Sequence, residues 1–230
     1  YKVLYYISPK IWAWKKGRVE LVRKYVDRMY IIFPFEVGFY SKHNIEVEYR
    51  GNPLLDETEK RIARLPAKDE LRMALGLGEK PVIALLAGSR KSEVTQVLPQ
   101  MLRAVSHFPD YQFVLAGVKN LPDELYLRLT AGTGVKILKD RTYEILAVSE
   151  AALVTSGTAT LETALFGVPQ IVCYRGDLIS MLIAWTVIKV RYISLVNLIA
   201  GSEVVKELIQ FSLSEKNIVR ELGAILPGGE

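Results

Sequence analysis

Short apolar runs alternate along the chain with longer stretches in which apolar residues recur at helical spacing. Several runs are apolar throughout, which is typical of strands covered on both faces. The predicted strands are Val3–Ile7, Met29–Phe33, Val82–Ala87, Phe113–Ala116, Val135–Leu138, Ala151–Thr155 and Pro169–Tyr174. The main predicted helices are Glu93–Phe108, Asp123–Ala131, Thr142–Ser149 and Thr158–Phe166. Strand, helix and strand in series predict an α/β fold with a parallel sheet and right-handed crossovers.

A charged stretch between residues 53 and 80 separates two groups of predicted elements. Residues 68–210 hold five of the predicted strands and can form an open α/β domain, in which ligands bind beyond the carboxyl ends of the strands. Residues 1–55 hold only two or three strands, too few for a doubly wound sheet. Because the chain also begins within a predicted strand and without methionine, we expect a fragment that carries the tail of an N-terminal domain.

The charge of the chain favours anionic partners without selecting one. Its 230 residues include 30 Lys and Arg against 25 Asp and Glu, a net charge of +5. Phosphates, nucleotides and anionic membranes all suit this surplus, whereas the lack of a basic stripe argues against nucleic acid. The single cysteine, Cys173, excludes an internal disulfide, and with only two histidines a structural zinc site has too few ligands. Composition therefore gives a metal-based function little support.

The first informative loop follows the strand that ends near Ala87 and contains Gly88, Ser89 and Arg90. Glycine permits a tight turn, and free backbone N–H groups at the start of the next helix favour an anion. Arg90 can add a two-pronged, charge-assisted contact to a phosphate. The alternative is a simple helix cap beside a solvated arginine. Spacing alone does not decide between them, because the loop matches neither a Walker motif nor Gly-x-Gly-x-x-Gly.

The second informative loop, Ser156-Gly157-Thr158-Ala159-Thr160, also joins a predicted strand to a helix. Its threonines and backbone amides can hold a diphosphate, and Glu162, one turn into the helix, can accept hydrogen bonds from a ribose diol. The alternative is that Thr158 caps the helix and Glu162 suits the positive end of its dipole. Because both loops converge on one sheet edge, we favour a site for a nucleotide diphosphate.

Two further features leave alternatives open. Asn197 lies alone among apolar residues, so it either ties down local backbone or faces a ligand. The apolar stretch Leu178–Val190 is either a buried helix or a surface that meets lipid or a partner chain, and it is too short to span a bilayer. Trp12 and Trp14, beside several basic residues, are either packing residues or an interfacial anchor.

Five stretches resemble the lipid-A-disaccharide synthase family in sequence and in order, and together they cover nearly the whole chain. The strings Ser-Pro-x-x-Trp-Ala-Trp and Ser-Gly-Thr-Ala-Thr-Leu-Glu are highly specific in combination. The matching stretches are Ile7 to Trp14, Phe33 to Glu36, Gly88-Ser89-Arg90 with Glu93, Ser156 to Glu162, and Ser194-Leu195-x-Asn197-Leu198.

The resemblance implies an inverting, metal-independent glycosyltransferase of the GT-B type, with two Rossmann-like domains and no cofactor. The family transfers 2,3-diacylglucosamine from its UDP donor to the 6-hydroxyl of 2,3-diacylglucosamine 1-phosphate. The products are UDP and the disaccharide precursor of lipid A in Gram-negative bacteria. Family members are cytoplasmic and peripheral on the inner face of the inner membrane. An exposed apolar segment would also favour self-association, with a homodimer as the simplest form.

The resemblance also assigns domains. Residues 1–55 would be the C-terminal part of the acceptor-side domain, 56–80 a linker, 81–210 the nucleotide-sugar-binding domain and 211–230 a truncated helical tail. The donor-binding residues would be Gly88, Ser89, Arg90, Ser156, Gly157, Thr158, Ala159, Thr160, Glu162 and Asn197. Arg90 would stabilise the leaving diphosphate, and the general base would lie in a missing N-terminal part, so we expect UDP binding with little or no turnover.

Departures from the family pattern keep other functions open. Ala87, Val196 and Lys206 stand where the family usually has proline, and Asn52 stands where histidine is common. The alternatives are another UDP-sugar enzyme of the GT-B type, either a transferase or an epimerase, and a non-catalytic membrane-surface module. Such a module would bind anionic lipid and ignore UDP.

Overall fold

The computed structural model describes residues 1–9, 11, 16–176 and 191–229; of residue 16 it describes the backbone only. The N-terminal part forms a parallel sheet in the order β1 (Leu4–Tyr6), β2 (Arg28–Ile31) and β3 (Glu48–Tyr49). Helices α1 (Val19–Tyr25) and α2 (Pro34–Ser41) accompany it. A small core holds this unit together, formed by Ile11, Val19, Val22, Met29, Ile31 and Tyr40.

The rest of the described structure is built around a six-stranded parallel sheet. Its strands along the chain are β4 (Val82–Leu86), β5 (Gln112–Gly117), β6 (Lys136–Lys139), β7 (Ser149–Thr155), β8 (Gln170–Tyr174) and β9 (Lys206–Ile209). The helices are α3 (Pro53–Ile62), α4 (Lys68–Ala74), α5 (Lys91–Leu102), α6 (Asp123–Thr130), α7 (Thr142–Ala147), α8 (Thr158–Leu165), α9 (Leu195–Ala200) and α10 (Glu215–Ile225). The sequence prediction of an α/β fold with a parallel sheet is confirmed.

The order of the strands places two loops side by side. In space the sheet runs β6-β5-β4-β7-β8-β9, so the chain winds outward in one direction from β4 and in the other from β7. The crevice between such diverging connections is where open α/β sheets bind ligands. The loops that follow β4 and β7 are the two that carry the predicted site residues.

The central strands are buried on both faces, as their unbroken apolar sequence predicts. Ile83 and Leu85 of β4 belong to a core on the side of α5 and α10, whereas Val82 and Ala84 belong to a core on the side of α7. All four side chains are 0% exposed. This two-sided burial holds the carboxyl end of β4 rigidly, which is where the first loop begins.

Residues 56–80 do more than connect two groups of elements. They contain α4 and most of α3, and Leu71 and Leu75 are buried in the core of the larger sheet. Residues 211–229 likewise place α10 against this sheet through Ile218 and Leu222. Both segments therefore pack with the larger sheet.

Differences from the prediction include two additional strands and an earlier helix end. The strands β3 and β9 were not predicted, and β9 brings the larger sheet to six strands instead of five. β9 is an edge strand in which only Leu208 is buried, so it lacks an apolar signature. The helix predicted over Glu93–Phe108 spans Lys91–Leu102, followed by a separate 3-10 turn at Val105–His107. Trp12, Trp14 and residues 178–190 lie outside the described residues.

Candidate functional site

A cavity of about 440 Å³ opens at the carboxyl ends of β4 and β7, between the two predicted loops. Every predicted site residue lines it except Thr160 and Asn197. The residues it shares with the prediction are Gly88, Ser89, Arg90, Ser156, Gly157, Thr158, Ala159 and Glu162. Glu93, Val118, Thr142 and Thr155 are among the other lining residues. The fold thus brings two loops, separated by about 70 residues in the sequence, to one site.

Gly88 allows the first loop to fold tightly over Glu93. Its φ is +106°, a conformation that residues with a side chain rarely adopt. A Cβ atom at this position would lie 2.6 Å from Glu93 Oε2 and 2.7 Å from Glu93 Cβ. The glycine is therefore required both by the backbone angle and by the close approach of Glu93.

The carboxylate of Glu93 occupies the backbone amides of this loop. Its Oε2 accepts hydrogen bonds from the N–H groups of Ser89, at 3.0 Å, and Arg90, at 3.2 Å. These two amides precede the first helical residue, Lys91, and an internal carboxylate already occupies them. Sequence reasoning missed this role of Glu93, although a glutamate three residues after a helix N-cap is a known capping pattern.

Arg90 remains able to bind a phosphate. One guanidinium nitrogen, Nη1, donates to Glu93 Oε1 at 2.8 Å, while the side chain is 79% exposed. A guanidinium carries five N–H donors, so most of them stay available. Glu93 therefore orients Arg90 at the rim of the cavity and leaves its outer edge to an incoming anion.

The second loop offers backbone amides at the start of α8. The first N–H groups of a helix have no acceptor within the helix, and those of Thr158 and Ala159 belong to residues that line the cavity. The helix dipole adds a partial positive charge at the same end. Arg90 and the residues at the start of α8 thus line one cavity, an arrangement that suits a diphosphate.

Thr160 does not reach the cavity. Its side chain is 0% exposed, and its Oγ1 donates to the Gly157 carbonyl at 2.8 Å. Its own N–H also donates to that carbonyl, at 3.3 Å, and its carbonyl accepts from Gln170. The expected contact between Thr160 and phosphate is replaced by a structural one, because every polar group of Thr160 stabilises the first turn of α8.

Glu162 has a partner that the sequence did not indicate. The hydroxyl of Tyr143 donates to Glu162 Oε1 at 2.7 Å. Both residues, with Thr142, also line an adjoining cavity of about 320 Å³. Tyr143 stands just after β6, at the same sheet edge as the other two loops, so a survey of every strand end would have found it. The bond holds one carboxylate oxygen and leaves Oε2 for another donor.

Burial and the neighbouring Glu162 carboxylate raise the pKa of Tyr143 to about 12. A raised pKa means that the fold favours the protonated phenol. The stabilisation is therefore complete below the ordinary tyrosine pKa of 10.0 and is lost as the pH rises through about 12. We expect the Tyr143–Glu162 bond to persist from neutral pH to about pH 9, with no change in nucleotide affinity from this source.

Replacing Tyr143 with phenylalanine is expected to lower the affinity for UDP about two- to tenfold, because Glu162 loses the hydrogen bond from the phenol and its fixed orientation. Calorimetric titration with UDP measures the change. Tyr111→Phe is the matched control, since this half-buried tyrosine packs against Phe108 outside the cavity. Equal affinities for Tyr143→Phe and wild type would contradict the assigned orientation of Glu162.

The structure does not bring Asn197 into the cavity. Its side chain is 0% exposed, and its amide oxygen accepts from the N–H groups of Val204, at 2.8 Å, and Val205, at 3.0 Å. Its amide nitrogen donates to the Val205 carbonyl and to Glu207 Oε1. Both N–H groups and both acceptor positions of the Asn197 amide are therefore used within the protein. In place of the expected contact with the nucleotide-sugar, Asn197 ties down the local backbone.

The described residues were compared with what a metal site and a membrane-spanning helix require. Within residues 1–9, 11, 16–176 and 191–229, no group of three or more His, Cys, Asp or Glu side chains is arranged to hold a metal ion. Among the helices in those ranges, none has the length and apolar character needed to cross a membrane. Cys173 is 0% exposed, and burial raises the pKa of its thiol, in keeping with a packing role.

Comparison with known proteins gives consistent matches. Residues 1–229 match the family model described as lipid-A-disaccharide synthetase. A lipid-A-disaccharide synthase from Syntrophus aciditrophicus is 42% identical over 97% of this chain and 60% of its own length. The one from Geobacter sulfurreducens is 38% identical over 98% of this chain and 59% of its own length. The chain thus spans about 60% of the curated relatives that it matches.

The fold also has solved counterparts. The structure of a Methanocaldococcus jannaschii UDP-GlcNAc 2-epimerase, in complex with UDP-GlcNAc and UDP, aligns with a TM-score of 0.61. The alignment covers 88% of this chain and 55% of that chain at 13% sequence identity. At this identity the likeness shows the fold alone, which is the GT-B type expected from the sequence.

Proposed function

The chain belongs to the lipid-A-disaccharide synthetase family, and from this premise we propose that it forms the donor-binding part of a glycosyltransferase. The enzyme transfers 2,3-diacylglucosamine from UDP to the 6-hydroxyl of 2,3-diacylglucosamine 1-phosphate. The observation that carries the proposal is the single cavity that the Gly88–Arg90 and Ser156–Ala159 loops line together at the point where the strand order diverges.

Different cavity residues are proposed to bind the diphosphate and the ribose of UDP. Arg90 and the amides of Thr158 and Ala159 hold the diphosphate, and Glu162 Oε2 accepts from the ribose diol. Tyr143 keeps Glu162 in place through its bond to Oε1. Thr160 supports the α8 turn from beneath without touching the ligand. Each role uses a polar group that faces the cavity or fixes one that does.

The chemical step needs charge stabilisation on the leaving group. The acceptor oxygen attacks the anomeric carbon, the bond from that carbon to the diphosphate oxygen breaks, and UDP departs with the bonding electrons. Negative charge grows on the diphosphate, where Arg90 and the α8 amides strengthen their hydrogen bonds. The proposal places the general base for the acceptor hydroxyl in the part of the relatives that this chain does not span.

The substrates also imply where the enzyme works. Both sugars carry acyl chains, so the proposal includes peripheral association with the inner face of the inner membrane, with UDP released to the cytoplasm. The residues proposed to meet lipid, Trp12, Trp14 and 178–190, lie outside the described residues. Transfer itself requires no bound metal in this proposal, because Arg90 and backbone amides carry the charge.

Calorimetric titration with UDP tests the donor site directly. We expect one UDP per chain, and an affinity that EDTA leaves unchanged, because no cation bridges the diphosphate. The matched titration uses anionic phospholipid vesicles, which a non-catalytic membrane module would prefer. A chain that is folded by circular dichroism, binds such vesicles and ignores UDP would refute the donor site.

A further inference from the structure

A hydrogen bond joins the nucleotide cavity to a segment outside it. Ser156, which lines the cavity, donates through its Oγ to the carbonyl of Ile193 at 2.9 Å. Ile193 stands just before α9, which packs against α8 and also against α2 of the smaller sheet. The Ser156 loop is therefore tied to a segment whose own position must be fixed by other contacts.

The carboxylate of Glu207 fixes that segment. Its Oε2 accepts from the N–H of Ile193 at 3.0 Å. Its Oε1 accepts from the N–H of Ser194 at 2.9 Å, from the Ser194 hydroxyl at 2.7 Å and from Asn197 Nδ2 at 2.9 Å. Four donors from one short segment thus converge on a single side chain of the edge strand β9.

Asn197 completes the cluster. It binds Glu207 with its amide nitrogen and the backbone of Val204 and Val205 with both amide atoms. In the part of the chain that the structure describes, no Lys, Arg or His forms an ion pair with Glu207. Its charge is therefore balanced by hydrogen-bond donors, so removing the carboxylate leaves several polar groups without partners at once.

We propose that Glu207 is a positioning residue for the nucleotide site. It holds Ile193 where its carbonyl can accept from Ser156, and so keeps the Ser156–Ala159 loop in the geometry that receives the diphosphate. Asn197 serves the same cluster and does not contact the ligand. This proposal deepens the proposed function and rests on it for the identity of the ligand.

The test measures UDP affinity and backbone protection in the same proteins. Glu207→Ala removes all four bonds, and we expect about a tenfold loss of UDP affinity. Glu207→Gln keeps one acceptor oxygen and is expected to lose about threefold. The matched control is Glu203→Ala, which breaks only an exposed ion pair with Lys206 and leaves UDP affinity unchanged.

A double-mutant cycle identifies the route. If Glu207 acts through Ser156, adding Ser156→Ala to Glu207→Ala causes no further loss of UDP affinity, because the same link is already broken. Amide hydrogen exchange supplies a readout without UDP. If Glu207 positions the loop, Glu207→Gln speeds amide exchange at residues 156–160 as well as at residues 193–197. If Glu207 acts only locally, exchange speeds up at residues 193–197 alone.

The outcomes separate this proposal from the proposed function. If wild type does not bind UDP, the proposed ligand is wrong, and exchange at residues 156–160 still decides whether Glu207 positions the loop. If wild type binds UDP but Glu207→Gln binds equally well with unchanged exchange at 156–160, the positioning role is refuted. The positioning role would also be refuted if the losses of UDP affinity from Ser156→Ala and Glu207→Ala multiplied in the double variant. Should Glu207→Ala not fold, Glu207→Gln carries both measurements.

Discussion

Replacing Arg90 with alanine is expected to weaken UDP binding about ten- to a hundredfold. A hydrogen bond to a charged group contributes roughly 1.5–3 kcal/mol, which corresponds to that range of dissociation constants. The folded state should be nearly unaffected, because the side chain is 79% exposed and its ion pair with Glu93 lies at the surface. Calorimetry with UDP, together with a thermal unfolding curve, measures both quantities on one preparation.

Two further variants show whether the effect comes from the position or the charge. Arg103→Ala removes the same charge from an exposed site just beyond α5 and is expected to leave UDP affinity unchanged. Arg90→Lys keeps the charge but loses the two-pronged geometry, so it should recover only part of the affinity. If Arg103→Ala weakened binding as much as Arg90→Ala, general electrostatic attraction would explain the result and the assigned contact would fail.

Replacing Gly88 with alanine is expected to reduce UDP affinity at least about tenfold and to destabilise the protein by roughly 1–3 kcal/mol. The positive φ strains any side-chain-bearing residue, and the new Cβ would collide with Glu93. Glu93 must then move away from the amides of Ser89 and Arg90, so Arg90 loses its orientation. Calorimetry and denaturant unfolding measure the two effects separately.

Gly132→Ala is the matched control for backbone strain. Gly132 also has a positive φ, +74°, but no atom lies within 4 Å of the position of its Cβ. This variant should show a smaller loss of stability, caused by the backbone angle alone, with unchanged UDP affinity, since Gly132 lies outside the cavity. Full UDP affinity in a folded Gly88→Ala variant would mean that the placement of Glu93 is irrelevant to the site.

Much of the fold could be predicted because buried parallel strands leave a simple signature. The apolar run at Val82–Leu86 is buried on both faces, and the helix after it starts close to the predicted residue. The edge strand β9 has no such signature, because its first two residues, Lys206 and Glu207, are charged and only Leu208 is buried. It becomes a strand by pairing with β8, a contact between residues more than 30 positions apart.

Much of the candidate site could also be predicted from the sequence. Strand-end loops with small residues indicated an anion site, and most of their residues line one cavity. The prediction overlooked the capping pattern by which Glu93 binds the amides of the first loop. Nor did it reveal the partner of Glu162, because Tyr143 stands 19 residues earlier in the chain. Asn197 was ambiguous for the same reason, since its partners lie on the following loop and strand.

The sequence by itself determined the α/β class, the family and the loops that carry the candidate chemistry, because these depend on residue type and on contacts between near neighbours. Only the tertiary structure decided which polar groups remain available to a ligand. A side chain whose donor and acceptor positions are all paired internally is withdrawn from the site. Arg90 and Glu162 keep free positions after that pairing, whereas Thr160 and Asn197 do not.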